Sequence, residues 1–331
     1  MSARLEVAPG ATALNPRPGN EPAPFFLVGS VRSGTTLLRL LLGHHPEICR
    51  CDEFEFVAPW IAGRADWPDA ATYRQHVEQR RDFRASGLQM DPALSFPEQA
   101  RDFLRQRQKA DGRPVIGATV HNHYDELPRL WPSAKYIFLV RDPRDVARSC
   151  VQMGWAGNAW AAARIWRTAF ETWRRLRLTL PADRFVELSF ERLMADVEGE
   201  LDRVSRFLGA SFDPAMLDLE RDTTYKRPNP RGSKSWRTDA PERDVREVEA
   251  ELGPLLLEAG YEPSGLPPLK IGPLRRAAMT LEHRFGRMRF GQRRYGMGLW
   301  LAAALARRLP LHGMRQRLRR EFEKINQRHL Q

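Results

Sequence analysis

An α/β fold with a central parallel sheet is what this 331-residue sequence predicts. Three observations lead there. Continuous apolar runs, Phe25-Phe26-Leu27-Val28 and Tyr136-Ile137-Phe138-Leu139-Val140, suit strands that are covered on both faces. Helical patterns alternate with such runs along the chain, as parallel strands joined by crossovers require. Both runs also end in a loop that opens a helix, and ligands of parallel sheets bind beyond the carboxyl ends of the strands.

The first run leads into Gly29, and Gly34 closes the loop before Thr35-Thr36 and an apolar helix ending near Gly43. Strand, glycine-bounded loop and helix make a phosphate cradle, and Gly29-x4-Gly34 has P-loop spacing. Thr35 stands where a nucleotide triphosphatase has lysine, and the positive charge sits earlier, at Arg32. The fold class is therefore a P-loop-like three-layer α/β fold whose phosphate site differs from that of a kinase or ATPase.

Further elements follow in order. Residues 60–112 read as helical with breaks at Pro68 and Pro92, and residues 113–117 as a short second strand. The strand at residues 135–140 runs into Arg141-Asp142-Pro143-Arg144-Asp145, where Pro143 suits a first helical turn. A helix is expected over residues 159–180, stopped by Pro181, then a strand at residues 184–188 and an amphipathic helix at residues 196–208 ending at Gly209. Asp239 and Glu242 have capping-box spacing for a helix to Ala259.

Composition bounds the function classes. Hydrophobic content of 42% supports a real core. Three cysteines form no even disulfide framework, and Cys49-x-Cys51 is too little for a zinc site. No apolar run approaches the roughly 20 residues needed to span a bilayer. A cytoplasmic protein without a metal is the expectation, and 47 arginines against 6 lysines favour a bacterial source. The net charge of +12 resides in residues 265–331, which hold sixteen Lys/Arg and three Glu. Three segments result: a flexible lead at residues 1–23, the main domain at residues 24–264, and a basic helical C-terminal extension at residues 265–331. In the extension, Leu274, Ala278, Leu281, Phe285 and Met288 repeat at helical spacing. That stripe suits a cap packed on the domain, a homodimer contact, or a peripheral contact with the inner face of a membrane. No nucleic-acid module is recognisable, so no nucleic-acid partner is expected.

Val28-Gly29-Ser30-Val31-Arg32-Ser33-Gly34-Thr35-Thr36 resembles the 5′-phosphosulfate loop of the sulfotransferases that use PAPS, 3′-phosphoadenosine 5′-phosphosulfate. The branch it most resembles holds the protein-tyrosine and many bacterial sulfotransferases. Arg141 with Ser149 eight residues on resembles the family's grip on the 3′-phosphate. The resemblance spans residues 24–263. It implies that Arg32, Ser33, Gly34, Thr35 and Thr36 bind the phosphosulfate end, and that Arg141 and Ser149 tell the nucleotide from ATP. Lys226, Asn229 and Lys234 fall in a segment that resembles the loop closing over the nucleotide. Ser235 stands where a basic residue is expected.

Glu53 matches the general base of the tyrosine branch, with Asp52 and Glu55 as rivals; His121 is the competing base, as in the cytosolic branch. The lysine that relatives place near the sulfate is replaced at Ala118-Thr119, which leaves leaving-group stabilisation to Arg32. The expected function is transfer of a sulfuryl group from PAPS to an acceptor hydroxyl of a tyrosine, carbohydrate, lipid or small molecule. The alternatives are a nucleotide-binding kinase-like protein and a non-catalytic protein that binds membranes or nucleic acid through its basic tail.

Overall fold

The computed structural model describes residues 23–219 and 234–308, with 318, 321 and 325 besides. Lys226 and Asn229, expected at the nucleotide, lie outside the described residues, as does nearly all of the expected N-terminal lead.

Four strands form one parallel sheet in the order β2-β1-β3-β4. They are β1 (Phe25–Val28), β2 (Gly117–Val120), β3 (Lys135–Val140) and β4 (Phe185–Ser189). Residues 47–54 run beside β2, joined by parallel bridges at Ile48–Val115 and Glu53–Thr119. The second strand thus begins at Gly117, where the sequence suggested residues 113–117; Val115 makes only a single bridge. Between β2 and β3 the chain crosses over β1, so the strand order reverses at the β1/β3 pair. The loops leaving those two strands flank the crevice where such folds bind ligands.

Fourteen helices are described. α1 (Thr35–Gly43) leaves the loop after β1. α2 (Ala58–Ile61), α3 (Ala70–Val77), α4 (Arg81–Ala85) and α5 (Phe96–Asp111) precede β2. α6 (Pro143–Gln152) and α7 (Ala159–Arg177) lie between β3 and β4. α8 (Phe190–Ala195), α9 (Val197–Leu208), α10 (Trp236–Asp239), α11 (Glu242–Leu252) and α12 (Pro254–Glu258) complete the main domain. α13 (Pro273–Tyr295) and α14 (Met297–Arg308) form the extension.

Alternation along β1 divides the core into two layers. Phe26 and Val28 pack with Trp166 and Trp173 of α7 and with Phe103 of α5. Phe25 and Leu27 face α1 and α9. All three cysteines are buried and unbridged; burial pushes the Cys49 and Cys150 thiols up to about 11, so they stay protonated at neutral pH.

Two helix expectations need correction. Asp239 does not cap the helix that follows: its carboxylate takes Arg148 Nη1 at 2.9 Å and Thr238 Oγ1 at 2.8 Å. That helix also stops at Leu252, because Gly253 turns the chain at φ 54°, and α12 restarts at Pro254.

The extension docks through a face other than the stripe seen in the sequence. Met279 is fully buried, and Asn158 Nδ2 donates to its carbonyl at 2.8 Å. Gly157 N donates to His283 Nδ1 at 3.0 Å. Backbones approach here so closely that a Cβ on Gly157 would lie 2.0 Å from the His283 carbonyl oxygen. A Cβ on Gly154 would strike the Phe290 ring.

His283 accepts that bond only when Nδ1 is unprotonated. Burial first, then Arg287, Arg164 and Arg284, hold its pKa below the usual 6.5. A histidine with a depressed folded-state pKa contributes stability that is present above the unfolded value and lost as pH falls through that value toward the folded one. Acidification below about pH 6.5 is therefore expected to lower the melting temperature, and His283→Gln, which keeps an acceptor but cannot titrate, to flatten that acid limb in thermal unfolding. An acid limb unchanged by the substitution would assign it to other groups.

Candidate active site

The loop between β1 and α1 is shaped by its two glycines. Gly29 sits at φ 152°, and a Cβ there would lie 2.3 Å from the Leu139 carbonyl oxygen of β3. Gly34 is left-handed at φ 97°, and a Cβ there would lie 2.4 Å from Cδ2 of Phe190. Gly34→Ala is thus expected to destabilise the fold by about 1–3 kcal/mol, from backbone strain plus displacement of Phe190, as read by thermal unfolding. Arg32 is also left-handed, at φ 68°, a conformation that costs a non-glycine residue free energy and clusters at ligand sites.

The amides of the first turn of α1 have no intrahelical acceptor and lie at the positive end of the helix dipole. Thr35 is buried and Thr36 half-buried at that turn. Ser33 is fully buried, and its hydroxyl has no hydrogen-bond partner among the described residues. A buried hydroxyl without a partner is costly, and an anion bound in the loop would satisfy it.

The second signature reaches the same place. Arg32 Nε donates to Ser149 Oγ at 2.9 Å, across 117 residues of sequence. Arg141 stacks its guanidinium 4.3 Å above the Phe190 ring, the ring that bounds Gly34. Phe190 is therefore a floor shared by both loops, and nothing in the sequence singled it out. Trp155, also unforeseen, lies 5.7 Å from the Arg32 guanidinium, in the loop on which α13 docks.

Asp142 caps α6 through the Arg144 amide and binds the buried Arg144 side chain, at 2.7 Å from Nη2. Arg144 also pairs with Glu249 and stacks 3.6 Å over Trp236. Asp142 and Glu249 are thereby matched with Arg144, whereas Arg141 Nη2 lies 3.8 Å from the buried Asp145 carboxylate. Asp145 accepts from Ser235 Oγ at 2.9 Å and from the Trp236 amide at 2.8 Å. Ser235 thus anchors its segment to α6 rather than reaching for a ligand, and Lys234 beside it is exposed.

The candidate bases separate by register. Glu53 pairs with Thr119, two residues before His121, so it lies below the carboxyl edge of the sheet. Its side chain is exposed, and Arg107 holds the carbonyls of Asp52 and Glu53 at 3.0 and 2.9 Å. Asp52 faces Arg39 at 3.6 Å. Glu55 does reach the edge: its carboxylate accepts from the His121 amide and from Asn122 Nδ2 at 3.0 Å. His121 Nδ1 lies 3.0 Å from the Gly29 carbonyl oxygen, which can only accept. Nδ1 therefore carries a proton, and in the uncharged ring this tautomer leaves the lone pair at Nε2.

A cavity of about 690 Å³ opens beside this histidine, lined by Ser30 and Val31 of the loop, by His121 and His123, and by Thr168 and Arg175 of α7, among others. The connection between α1 and β2 reaches it through Ala62 and Gly63, and α7 through Ile165, Thr168, Ala169, Thr172 and Arg175. Thr119, in the place of the expected lysine, is buried and donates its hydroxyl to the Cys51 carbonyl at 2.5 Å. β2 thus brings no cation to the crevice from that position. Among the described residues no cluster of His, Cys, Asp or Glu could hold a metal.

Phosphate loop, second arginine and adjoining cavity make a site suited to an anionic ligand next to an open pocket. The sequence profile of the sulfotransferase family matches residues 24–214, and the chain belongs to that family. Protein-tyrosine sulfotransferase 2 of Gallus gallus is 25% identical over 280 residues, covering 74% of this chain and 71% of the relative. Protein-tyrosine sulfotransferase 1 of Danio rerio is 27% identical over 279 residues, 75% of each chain. Among solved structures, the sulfotransferase domain of the Synechococcus PCC 7002 olefin synthase superposes with a TM-score of 0.53 at 22% identity, over 78% of this chain and all of that one. The sulfotransferase domain of the curacin biosynthetic pathway gives 0.51 at 16%, over 74% of this chain and 99% of that one. These structural likenesses bear out the P-loop-like fold.

Proposed function

We propose that the protein transfers the sulfuryl group of PAPS to the hydroxyl of an acceptor held in the cavity beside His121, without a metal. The observation that carries this is the bond from His121 Nδ1 to the Gly29 carbonyl. It ties a base with a fixed tautomer to the first residue of the phosphate loop. In the reaction the acceptor oxygen bonds to sulfur, the bond from sulfur to the 5′-phosphate oxygen breaks, and 3′,5′-ADP (PAP) leaves. The acceptor proton goes to His121 Nε2.

The residues fit the nucleotide. Ser33, the α1 amides and Arg32 suit the phosphosulfate, and in this reading Arg32 stabilises charge developing on the departing oxygen. Arg141, just before α6, and Ser149, in the second half of that helix, suit a 3′-phosphate, which ATP lacks. Lys234 is left without a supported role.

The family resemblance had suggested Glu53 as base. Its exposed side chain, in register with Thr119 and so two residues before His121, favours His121 instead, with Glu55 holding the His121 backbone. Relatives named for protein tyrosine support a hydroxyl acceptor. The test is transfer of label from ³⁵S-PAPS in the presence of EDTA, comparing wild type, His121→Ala and Glu53→Gln. Loss of label only in His121→Ala is expected. Activity that needs Mg²⁺ and consumes ATP would favour the kinase-like alternative.

A further inference from the structure

We propose that the outer face of α13 and α14 docks on an anionic phospholipid surface. The face is the apolar stripe that the docked side of α13 leaves uncovered. Leu274 is 88% exposed, Phe285 58% and Leu281 52%, and on α14 Met297 and Leu301 are exposed as well. Met288 is half-buried on the same side. The opposite side of α13 is occupied by the contacts of Met279, His283, Gly286 and Phe290 with residues 154–158. The contacts that seat α13 on the main domain among the described residues therefore do not use the stripe.

Charge indicates what covers it. On a helix of 3.6 residues per turn, Arg284 and Arg289 border the stripe on opposite sides, with Arg287 and Arg293 beyond them. All four are exposed, and none is ion-paired with a described acidic residue. Many arginines elsewhere are neutralised: Arg144, Arg167, Arg174, Arg175 and Arg203 meet carboxylates, as does Arg275 at the start of α13. The one acidic residue of α13, Glu282, is taken by Arg243. A second copy of this chain on the stripe would set arginine against arginine, whether the helices ran parallel or antiparallel. An apolar stripe edged by cations matches acyl chains below anionic headgroups. No described helix is long and apolar enough to cross a membrane, so the helix would lie in the interface. Because α13 is seated on the loop that carries Trp155, docking would hold the Arg32 crevice at a fixed height above the lipid.

The test is sedimentation of the full chain with phosphatidylcholine vesicles, with and without phosphatidylglycerol. Binding is expected only with the anionic lipid and is expected to fall with salt. Arg284→Gln with Arg289→Gln together should lower partitioning by about 25-fold, at about fivefold per lost arginine. Phe285→Asp should abolish it while the melting temperature and affinity for PAP stay at wild-type values, since the side chain is exposed. Equal binding to neutral vesicles, or none to either kind, overturns the proposal. A concentration-dependent dimer that Phe285→Asp dissolves, without vesicle binding, overturns it in favour of a second copy.

Discussion

His121→Ala lowers turnover by about a hundredfold to ten-thousandfold, the range expected for loss of a positioned general base. Affinity for PAP is expected to stay unchanged, because the ring bond of His121 is to a carbonyl rather than to a phosphate donor. His121→Gln is the sharper variant. Glutamine can still donate to Gly29, so the loop keeps its anchor, but it offers no basic nitrogen; turnover should fall as far as with alanine. Glu53→Gln leaves turnover near wild type. Should Glu53→Gln instead match His121→Ala in effect, the base lies on the segment beside β2. Steady-state rates with ³⁵S-PAPS, alongside calorimetric titration with PAP, separate these outcomes.

Arg32→Gly lowers turnover by about a hundredfold to a thousandfold, the loss typical of one preorganised oxyanion donor, without lowering stability. The two halves of that prediction have separate origins. Chemically, Arg32 is the cation of the loop, and no lysine from β2 shares its task, since Thr119 is turned into the core. Conformationally, Arg32 sits at φ 68°, where glycine carries no steric penalty, so the substitution relieves strain that an arginine maintains. A melting temperature that holds or rises while turnover collapses is the signature of a residue retained for the reaction. A parallel fall in both would make Arg32 a folding residue through its bond to Ser149.

What the sequence made legible was contiguous. Strand, glycine loop and helix lie within residues 25–43, and their dihedral demands show in the glycines themselves. Arg141 and Ser149 were singled out by the family resemblance, and the fold does bring Ser149 to Arg32. Contacts made at a distance were not legible. Phe190 joins the two loops from 156 residues beyond Gly34, and any large apolar residue after a strand looks alike in sequence. Glu53 and His121 could be ranked only from the register of residues 47–54 on β2. The capping box at Asp239 failed because Arg148, from another helix, outcompetes a local amide for the carboxylate.

The extension shows a different limit. Periodicity found an apolar face on α13, but the helix has two, and Met279 with Phe290 makes the one that docks. Gly157 and Gly286 decide between them by letting backbones meet, and Gly154 by leaving room for the Phe290 ring, which no hydrophobic count registers.

The central claim is sulfuryl transfer from PAPS with His121 as base. Its most direct measurement is the appearance of ³⁵S on hydroxyl-bearing products when wild type and His121→Ala, both shown to bind PAP, are incubated with ³⁵S-PAPS and fractionated lysate in EDTA. Label in a wild-type product, identified as a sulfate ester by mass spectrometry and lost in the variant, is the predicted result. Label that is indifferent to His121, or no sulfate ester in any fraction, would contradict it.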